Sequence, residues 1–363
     1  MTAIDPADLP VQPRQSRTER LERLHGYIAK SDRVFRLLGL AWITPVWRVL
    51  AGDNPRGQIP EIWRLAVVPV LAIAGFLTLW AVLAPTVQTS LGAIPGPVQV
   101  WQQALVLNAD ARAEAGKADA FYAKQAEKNA ALVAAGKPDD VKDHIYTGKP
   151  TYYRQIWTSI QTVFAGFLLA TVFAVPLGIL SGLSPTANAA LNPLVQVFKP
   201  VSPLAWLPIV TMVVSAVTVG GEGGLPKSFI VSAITVMLCS MWPTLINTAL
   251  GVASIDKDLI SVSRVLKLGS WTKITKLVLP SALPLIFTGL RLSLGVGWMV
   301  LIAAEMLAQN PGLGKFVWDE FQNGSSDSLA RIMVAVLTIG IIGFLLDRVM
   351  FALQSLFTFS ANR

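Results

Sequence analysis

Side chains that could catalyse a reaction or bind a metal ion are few in this chain and far apart. There are two histidines, His25 and His144, and one cysteine, Cys239, which lies in an apolar segment without a second cysteine for a disulfide. An enzyme embedded in a membrane needs histidine, cysteine or paired carboxylates close together at a membrane face. The sequence therefore predicts no catalytic residue, no metal site and no cofactor-binding site, and we do not expect an enzyme.

Polar residues inside apolar segments are the remaining candidates. Arg291 and Glu305 bracket one such segment, and charges in a membrane helix are costly and often functional. Both lie near the expected ends of that segment, so we favour the interpretation that they reach the lipid headgroups. Thr244, Asn247 and Thr248 lie in another apolar segment, where they could face a transport pathway or bond to neighbouring helices.

The composition is typical of a protein that crosses a membrane several times. Of the 363 residues, 53% are hydrophobic and 14% are charged, and the apolar residues come in long blocks. The net charge of +8 lies largely at the ends of those blocks, where basic residues mark cytoplasmic loops. We therefore expect membrane lipids as surroundings and no nucleic-acid partner.

Six segments are long and apolar enough to span a bilayer, and the predicted fold class is an all-α polytopic membrane protein. An even number of spans places both termini on one side of the membrane. The basic loop 254–280 and the N-terminal arginines indicate that this side is the cytoplasm. A break near residues 181–193 separates the second span from the third. The predicted spans are 62–84, 156–180, 201–219, 229–250, 283–304 and 331–351.

The segments between the spans have distinct compositions. Residues 1–61 are expected to form a cytoplasmic segment that is disordered over 1–19. From Arg20 to Leu38 the pattern predicts an amphipathic helix in the membrane interface, with a solvated cytoplasmic helix as the alternative. Residues 85–150 predict a periplasmic insertion with an alanine-rich helix over 108–135. Residues 356–363 are a cytoplasmic tail.

Three prolines, Pro200, Pro203 and Pro208, stand where the third span begins. Proline removes a backbone donor and breaks or kinks a helix. Irregular backbone at membrane depth is tolerated only where it is buried in protein or lines an aqueous cavity. The sequence therefore predicts a broken helix that forms a wall of a transport pathway, with a kink that merely packs as the alternative.

The polar, basic interruption 254–280 predicts a short amphipathic helix between two spans. Asp256 is the expected N-cap, and Gly269 is expected to take the left-handed conformation that ends the helix. Such a loop is better suited to docking a partner than to chemistry, and an ordinary basic loop that only fixes topology is the alternative. The residues expected to form the helix and its partner contacts are Asp256, Leu259, Val262, Arg264, Leu266, Lys267 and Gly269.

The end of this loop, Leu277-x-Leu279-Pro280, resembles the cytoplasmic coupling loop of permease subunits of ATP-binding-cassette (ABC) importers. In that family a Glu-Ala-Ala opening is followed by a glycine. This chain departs from the pattern at the opening, where it has Ser261, Val262, Ser263 and then Lys267.

Four further segments, 198–209, 241–252, 283–307 and 312–322, resemble permeases of nitrate-type ABC importers. That subfamily carries nitrate, nitrite, cyanate or bicarbonate and is related to sulfonate and taurine permeases. The resemblance covers about residues 150–355 and implies a type I importer permease fold with its core over 151–355. It also implies alternating access, with nitrate or nitrite as the favoured substrate and the other anions as alternatives.

The resemblance implies partners as well. These are a second copy of the chain, two cytoplasmic ATPase subunits and a periplasmic or lipid-anchored substrate-binding protein, all at a bacterial inner membrane. ATP and Mg²⁺ are expected on the ATPase subunits, because the nearest phosphate-loop pattern in this chain has Pro226 where glycine is required.

A pathway for a small monovalent anion needs hydrogen-bond donors rather than full pairing, because tight binding would trap the ion. The candidates for such donors are Ser202, Trp206, Thr244, Asn247 and Trp298. A secondary transporter is the other class considered; it would need buried charges near the middle of the membrane, and we expect almost none.

Overall fold

The computed structural model describes most of the chain in two units. These are Met1–Leu79 and Trp80–Arg363, and each is described by itself. The predicted disordered segment 1–19, most of the predicted helix Arg20–Leu38 and the glycine-rich stretch 219–224 lie outside the described residues. The described residues are 40–50, 55–89, 92–135, 137, 141–218 and 225–361, with Gly26, Asp32 and Phe35.

The first unit contains the first predicted span. The helical run Gly57–Thr86, which continues past the end of this unit, is long and apolar enough to cross a membrane, and it includes the predicted segment 62–84. None of its most apolar window is buried in protein, as expected of a helix that faces lipid. The elements are α1 (Ile43–Leu50), α2 (Pro55–Ile62), a π-helical turn (Trp63–Val67) and α3 (Val68–Leu83).

The second unit is also helical, apart from a hairpin of two-residue strands, β1 (Gln88–Thr89) and β2 (Gly92–Ala93). The all-α prediction is therefore confirmed. Its helices are α4 (Pro97–Ala134), α5 (Tyr152–Leu183), α6 (Pro185–Phe198), α7 (Pro203–Val217), α8 (Lys227–Ala253), α9 (Lys257–Val265), α10 (Ser270–Lys273), α11 (Leu279–Ala308), α12 (Leu313–Asn323) and α13 (Ser328–Ala361).

Five helical runs in the described part of the chain can each cross a membrane, and the bent pair α6 and α7 makes a sixth if it counts as one span. The two helices of that pair meet at 103°. Ser184 and Ser202 cap their N-termini, and Pro185 and Pro203 follow as first residues, where proline is tolerated. The predicted breaks are confirmed, and α7 covers most of the predicted third span, 201–219, although its 15 residues count as a span only together with α6.

Two helices begin earlier than the sequence predicts. Helix α4 starts at Pro97 rather than at 108, because proline fits the first helical position and Gln99 Oε1 accepts a hydrogen bond from Gly96 N at 2.9 Å. The helical run of the fifth span starts at Ser270, so the second half of the predicted loop 254–280 is helix. A π-helical turn, Ile274–Val278, precedes Pro280 and relaxes the backbone where its ring would clash.

Helix α8 is the centre of the second unit and packs between α5 and α11. It runs parallel to α5, where Gly166 and Gly178 let the backbones approach Val236 and Thr248. It runs antiparallel to α11, where Gly289 meets Thr244. The C-terminal ends of α5 and α8 therefore lie together with α9, and the N-terminal ends of the same two helices lie at the opposite end of the bundle.

The alanine-rich helix α4 packs at that opposite end. Val100 and Leu107 of α4 are buried in one cluster with Phe316 of α12 and Val334 of α13. Arg331 at the start of α13 lies 3.2 Å from Glu320 of α12. The helix after the first span and the short helix α9 are therefore held at opposite ends of one helical bundle.

Candidate functional site

The short helix α9 begins as the sequence predicts. Asp256 Oδ1 accepts a hydrogen bond from the backbone N–H of Asp258 at 2.9 Å, and its carbonyl accepts one from Ile260 at 3.3 Å. The N-cap prediction is therefore confirmed. Ile255 and Ile260 join a buried cluster at the ends of α8 and α11, which fixes this end of the helix to the bundle.

The helix ends differently from the prediction. Lys267 takes the left-handed conformation, with φ 45°, whereas Gly269 has φ −62° and is extended. Leu268 N donates to Ser263 O at 3.1 Å. This hydrogen bond is the one that closes a Schellman motif, in which the residue before the donor is left-handed. The prediction for Gly269 is wrong because the helix already ends at Val265, and Gly269 instead caps the next helix before Ser270.

The outer side of α9 is an exposed apolar face. Leu259, Val262 and Leu266 are exposed, the last to 63% of its surface, and Trp271 on the next helix is 77% exposed. On the inner side Ser263 is 2% exposed. The predicted apolar residues thus share the exposed side, and exposed apolar surfaces are a common feature of interaction sites. The side chain of Arg264 is outside what the structure describes.

Four of the five predicted pathway residues form hydrogen bonds within the protein. Ser202 Oγ accepts from Leu204 N at 3.3 Å, and Asn247 Nδ2 donates to Pro243 O at 2.8 Å. Thr244 Oγ1 lies 2.7 Å from Ser293 Oγ of α11, and Trp298 Nε1 donates to Ile339 O of α13 at 3.0 Å. The contacts of Ser202 and Asn247 are local to their own helices, whereas those of Thr244 and Trp298 join neighbouring helices. None of these contacts assigns a step of transport to the residues.

The fifth candidate, Trp206, differs. Its Nε1 is buried and has no hydrogen-bond partner in the part of the chain that the structure describes. Its ring lies 5.7 Å from that of Phe198, which stacks in turn on Trp242 at 6.4 Å. The indole N–H of Trp242 is also buried without an acceptor among the described residues. Two unused donors therefore flank one aromatic ring at the bend between α6 and α7.

Among the charged side chains of the second unit that the structure describes, Glu305 is the most enclosed, and our interpretation that it reaches the headgroups is wrong. It is 0% exposed. Ser159 Oγ lies 2.9 and 2.8 Å from its two carboxylate oxygens, and Gly314 N donates to Oε2 at 2.9 Å. Asn310 Nδ2 lies 3.5 Å from Oε1 and 3.1 Å from Thr162 Oγ1. This network, which we call the Glu305 cage, joins α5, α11 and the start of α12.

Two glycines make room for the cage. A Cβ atom at Gly312 would overlap the Glu305 carboxylate, and one at Gly314 would overlap the carbonyl of Ile302. Leu313 N also donates to Ser159 Oγ at 2.9 Å. The sequence signal for this arrangement was Gly312-x-Gly314 directly after a carboxylate at a helix end.

Arg291 forms an ion pair with a neighbouring helix. Its Nε and Nη2 atoms donate to the two carboxylate oxygens of Asp347 in α13 at 2.5 and 2.8 Å. Arg348 lies beside this pair, with its guanidinium over the rings of Phe344 and Phe351. The helices of the fifth and sixth predicted spans therefore carry three charged side chains close together, of which Arg291 and Asp347 are partly exposed rather than buried. The signal was Asp347-Arg348 inside the predicted sixth span.

Known proteins match this chain over most of its length. The nitrate import permease NrtB of Synechocystis sp. is 34% identical over 307 residues, which cover 84% of this chain and 92% of the relative. The bicarbonate transport system permease CmpB of Synechococcus elongatus is 33% identical over 308 residues, 84% of this chain and 94% of the relative. The NrtB protein of Leptolyngbya laminosa is 37% identical over 212 residues, 58% and 71% of the two chains.

A family model described as a binding-protein-dependent transport system inner membrane component matches residues 174–359, which include α8, α9 and α11. These matches confirm the resemblance to ABC importer permeases and the permease fold it implies. The chain is therefore a multi-pass membrane protein that belongs to the family of binding-protein-dependent transport system inner membrane components.

Proposed function

We propose that this chain is the permease subunit of an ATP-driven importer of a small inorganic oxyanion, with nitrate or nitrite as the first candidate. Relatives named as nitrate import permeases at 34% and 37% identity support this substrate class. A relative named as a bicarbonate permease at 33% identity supports bicarbonate as the second candidate. Cyanate, sulfonates and taurine are further substrates to test.

The observation that carries the proposal is helix α9. It is capped by Asp256, anchored by Ile255 and Ile260, and exposes Leu259, Val262 and Leu266 between two membrane helices. An apolar helix face that no described residue covers fits a groove on another protein. We infer that α9 docks in a groove of an ATPase subunit, which binds ATP and Mg²⁺.

The transport cycle follows from that contact. ATPase subunits that close on ATP would move α9, and the helices of the permease would change between inward-open and outward-open states. The proposed assembly has two copies of this chain, two ATPase subunits and a substrate-binding protein. Both termini and α9 would face the cytoplasm, and α4 would face outward.

Gly269 offers a direct test of the docking. A Cβ atom at Gly269 would meet no protein atom within 4 Å, and the same is true of Gly116 in α4. We expect Gly269→Leu to reduce ATP-driven nitrate uptake about tenfold by obstructing the contact, and Gly116→Leu to leave uptake within about twofold of wild type. Both variants should be compared at equal amounts of assembled importer. Normal uptake by Gly269→Leu would contradict the assignment.

The orientation has its own test. Cys239 is the sole cysteine of the chain, so a Cys239→Ser background permits cysteines to be placed one at a time. A membrane-impermeant thiol reagent added to intact cells is expected to label Gly116→Cys and to spare Lys267→Cys. The reverse labelling would place α9 outside and refute coupling to a cytoplasmic ATPase.

For the substrate, uptake of nitrate and of bicarbonate should be measured with the complete importer, with and without ATP. Nitrate uptake that depends on ATP supports the first candidate. Bicarbonate uptake alone replaces it with the second. Of the predicted pathway donors, Trp206 is the first to substitute, because its N–H has no acceptor among the described residues; we expect Trp206→Phe to slow uptake.

A further inference from the structure

The ion pair between Arg291 and Asp347 borders a cavity between the helices of the fifth and sixth predicted spans. The cavity has a volume of about 210 Å³. Because a water molecule occupies about 30 Å³ in the liquid, it has room for a four-atom anion and several waters. Its walls are Arg291, Leu294, Gly295, Trp298, Gly343, Leu346 and Asp347, from α11 and α13.

Arg291 lies in the middle of the helical run Ser270–Ala308, which has 39 residues. Its side chain is 35% exposed and that of Asp347 is 37% exposed. Ionisable residues within membrane helices face the protein interior or a water-filled cavity rather than lipid. The exposed part of the pair therefore faces the cavity rather than hydrocarbon.

The cluster has more positive charge than negative. Arg348 follows Asp347 in the chain, so the cluster contains two guanidinium groups and one carboxylate. The Arg348 guanidinium lies over Phe344 and Phe351, 5.1 and 5.9 Å from their ring centres, and its Nε is buried with no partner in the described part of the chain. The Arg291 guanidinium lies 5.3 Å from the centre of the Phe351 ring.

Arg291 also has donors to spare. Only Nε and Nη2 bond to Asp347, whereas a guanidinium has five N–H donors, and the Nη1 group is not among the bonds to that carboxylate. A guanidinium fork binds planar oxyanions with two parallel hydrogen bonds. Asp347 meanwhile neutralises most of the attraction, so an anion bound there would be held weakly enough to leave.

On this basis we propose that the cavity beside Arg291 and Asp347 is a transient binding site for a planar, singly charged oxyanion on the transport pathway, where the substrate shares the Arg291 guanidinium with Asp347. This inference rests on the proposed function. It assigns selectivity for charge and shape to two residues of α11 and α13, outside the set of donors predicted from the sequence.

A variant that fills the cavity tests the site without disturbing any charge. A Cβ atom at Gly295 would meet no protein atom within 4 Å, and Gly295 lines the cavity, so we expect Gly295→Leu to place its side chain in the cavity without displacing the backbone. Gly340→Leu is the matched control, because Gly340 in α13 also has open space and does not line the cavity. We expect Gly295→Leu to reduce ATP-driven nitrate uptake about tenfold and the control to stay within about twofold.

Neutralising the pair gives a second test. The double variant Arg291→Gln with Asp347→Asn removes both charges of the pair together, so a merely structural ion pair would tolerate it. The control is Lys315→Gln with Asp319→Asn, which neutralises an exposed pair of α12. We expect the first double variant to raise the KM for nitrate about tenfold at equal assembly, and the control to leave KM unchanged.

The outcomes separate the two proposals. Wild-type ATP-driven uptake together with normal KM values in Gly295→Leu and in the neutral double variant would refute this site and leave the proposed function standing. A wild-type importer that carries neither nitrate nor bicarbonate would refute the proposed substrate class, and this inference with it. Loss of uptake in the variants and not in their controls supports the site.

Discussion

Two carboxylates of the membrane helices, Glu305 and Asp347, have opposite surroundings. Glu305 is fully buried and accepts only from neutral donors, one of them the backbone N–H of Gly314. Asp347 is partly exposed, faces a cavity and is paired with a cation that has further donors free of that carboxylate. The cage cannot change its partners without moving backbone, whereas the ion pair can. One carboxylate therefore fixes the fold, and the other is suited to exchange with a mobile anion.

The largest effect should come from crowding the cage. Gly312→Ala places a methyl group on the Glu305 carboxylate, so either α12 or the carboxylate must move. We expect a loss of about 3 kcal/mol or more in stability, because a buried polar network is broken and the core is overpacked. Thermal unfolding of the purified chain in detergent measures it, with Gly340→Ala as control. Equal unfolding temperatures would mean that the cage is not rigid.

Removing one donor should cost less. Ser159→Ala takes away the hydroxyl that contacts both Glu305 oxygens and accepts from Leu313 N. We expect a loss of about 1–3 kcal/mol, because two buried groups lose a partner. The same unfolding measurement applies, with Ser355→Ala, whose hydroxyl bonds only within its own helix, as control. A loss no larger than that of the control would contradict the network.

The shape of the Arg291 donors gives the next test. Arg291→Lys keeps the charge and loses the fork that matches a planar oxyanion. We expect the KM for nitrate to rise about threefold to tenfold, with a smaller change in kcat, because binding is affected more than the conformational cycle. Concentration-dependent uptake measures both. If lysine substitutes without any change in KM, charge alone is sufficient at this position.

A smaller effect is expected at Lys267, which holds a left-handed conformation that costs a residue with a Cβ atom about 1–2 kcal/mol. Lys267→Gly should remove this strain and slow hydrogen exchange of the Leu268 amide, which bonds to Ser263 O at 3.1 Å. Gly269→Ala is the control, since Gly269 is extended and needs no glycine. Faster exchange in Lys267→Gly would show that the helix end is held by the lysine side chain.

The smallest effect concerns a carboxylate outside the membrane spans. Hydrogen bonds from the Tyr146 hydroxyl and from Lys117 lower the pKa of Glu114 below its ordinary value of 4.5. At pH values above 4.5, the lowered pKa means that ionised Glu114 stabilises this contact in the folded protein. The stabilisation is lost as the pH falls through the lowered pKa and the carboxylate is protonated. We therefore expect the Lys149 amide, which donates to Glu114 Oε1, to lose hydrogen-exchange protection in that range. Protection that is unchanged in Glu114→Gln would contradict this.

The sequence predicted those features that depend on local pattern. Apolar length located the spans, the proline spacing located the bend between α6 and α7, and Asp256 was identified as a cap. The contacts of Glu305, Arg291 and Asp347 join residues far apart in the chain, and no local rule says which helix they meet. The left-handed residue was misplaced because a glycine nearby fits that conformation better than Lys267, which actually adopts it.

The helical run Ser270–Ala308 is continuous, so it can tilt as one rigid body. Glu305 is held by its hydrogen bonds near one end of this run. Ser270, at the other end, follows α9, the helix that we propose docks on the ATPase subunit. Arg291 is 14 residues from Glu305, and Ser270 is 35 residues from it. If the helix tilts rigidly about Glu305, Arg291 therefore moves about two-fifths as far as Ser270. A displacement of about 5 Å at Ser270 would thus move Arg291 by about 2 Å, enough to separate its guanidinium from the Asp347 carboxylate of α13.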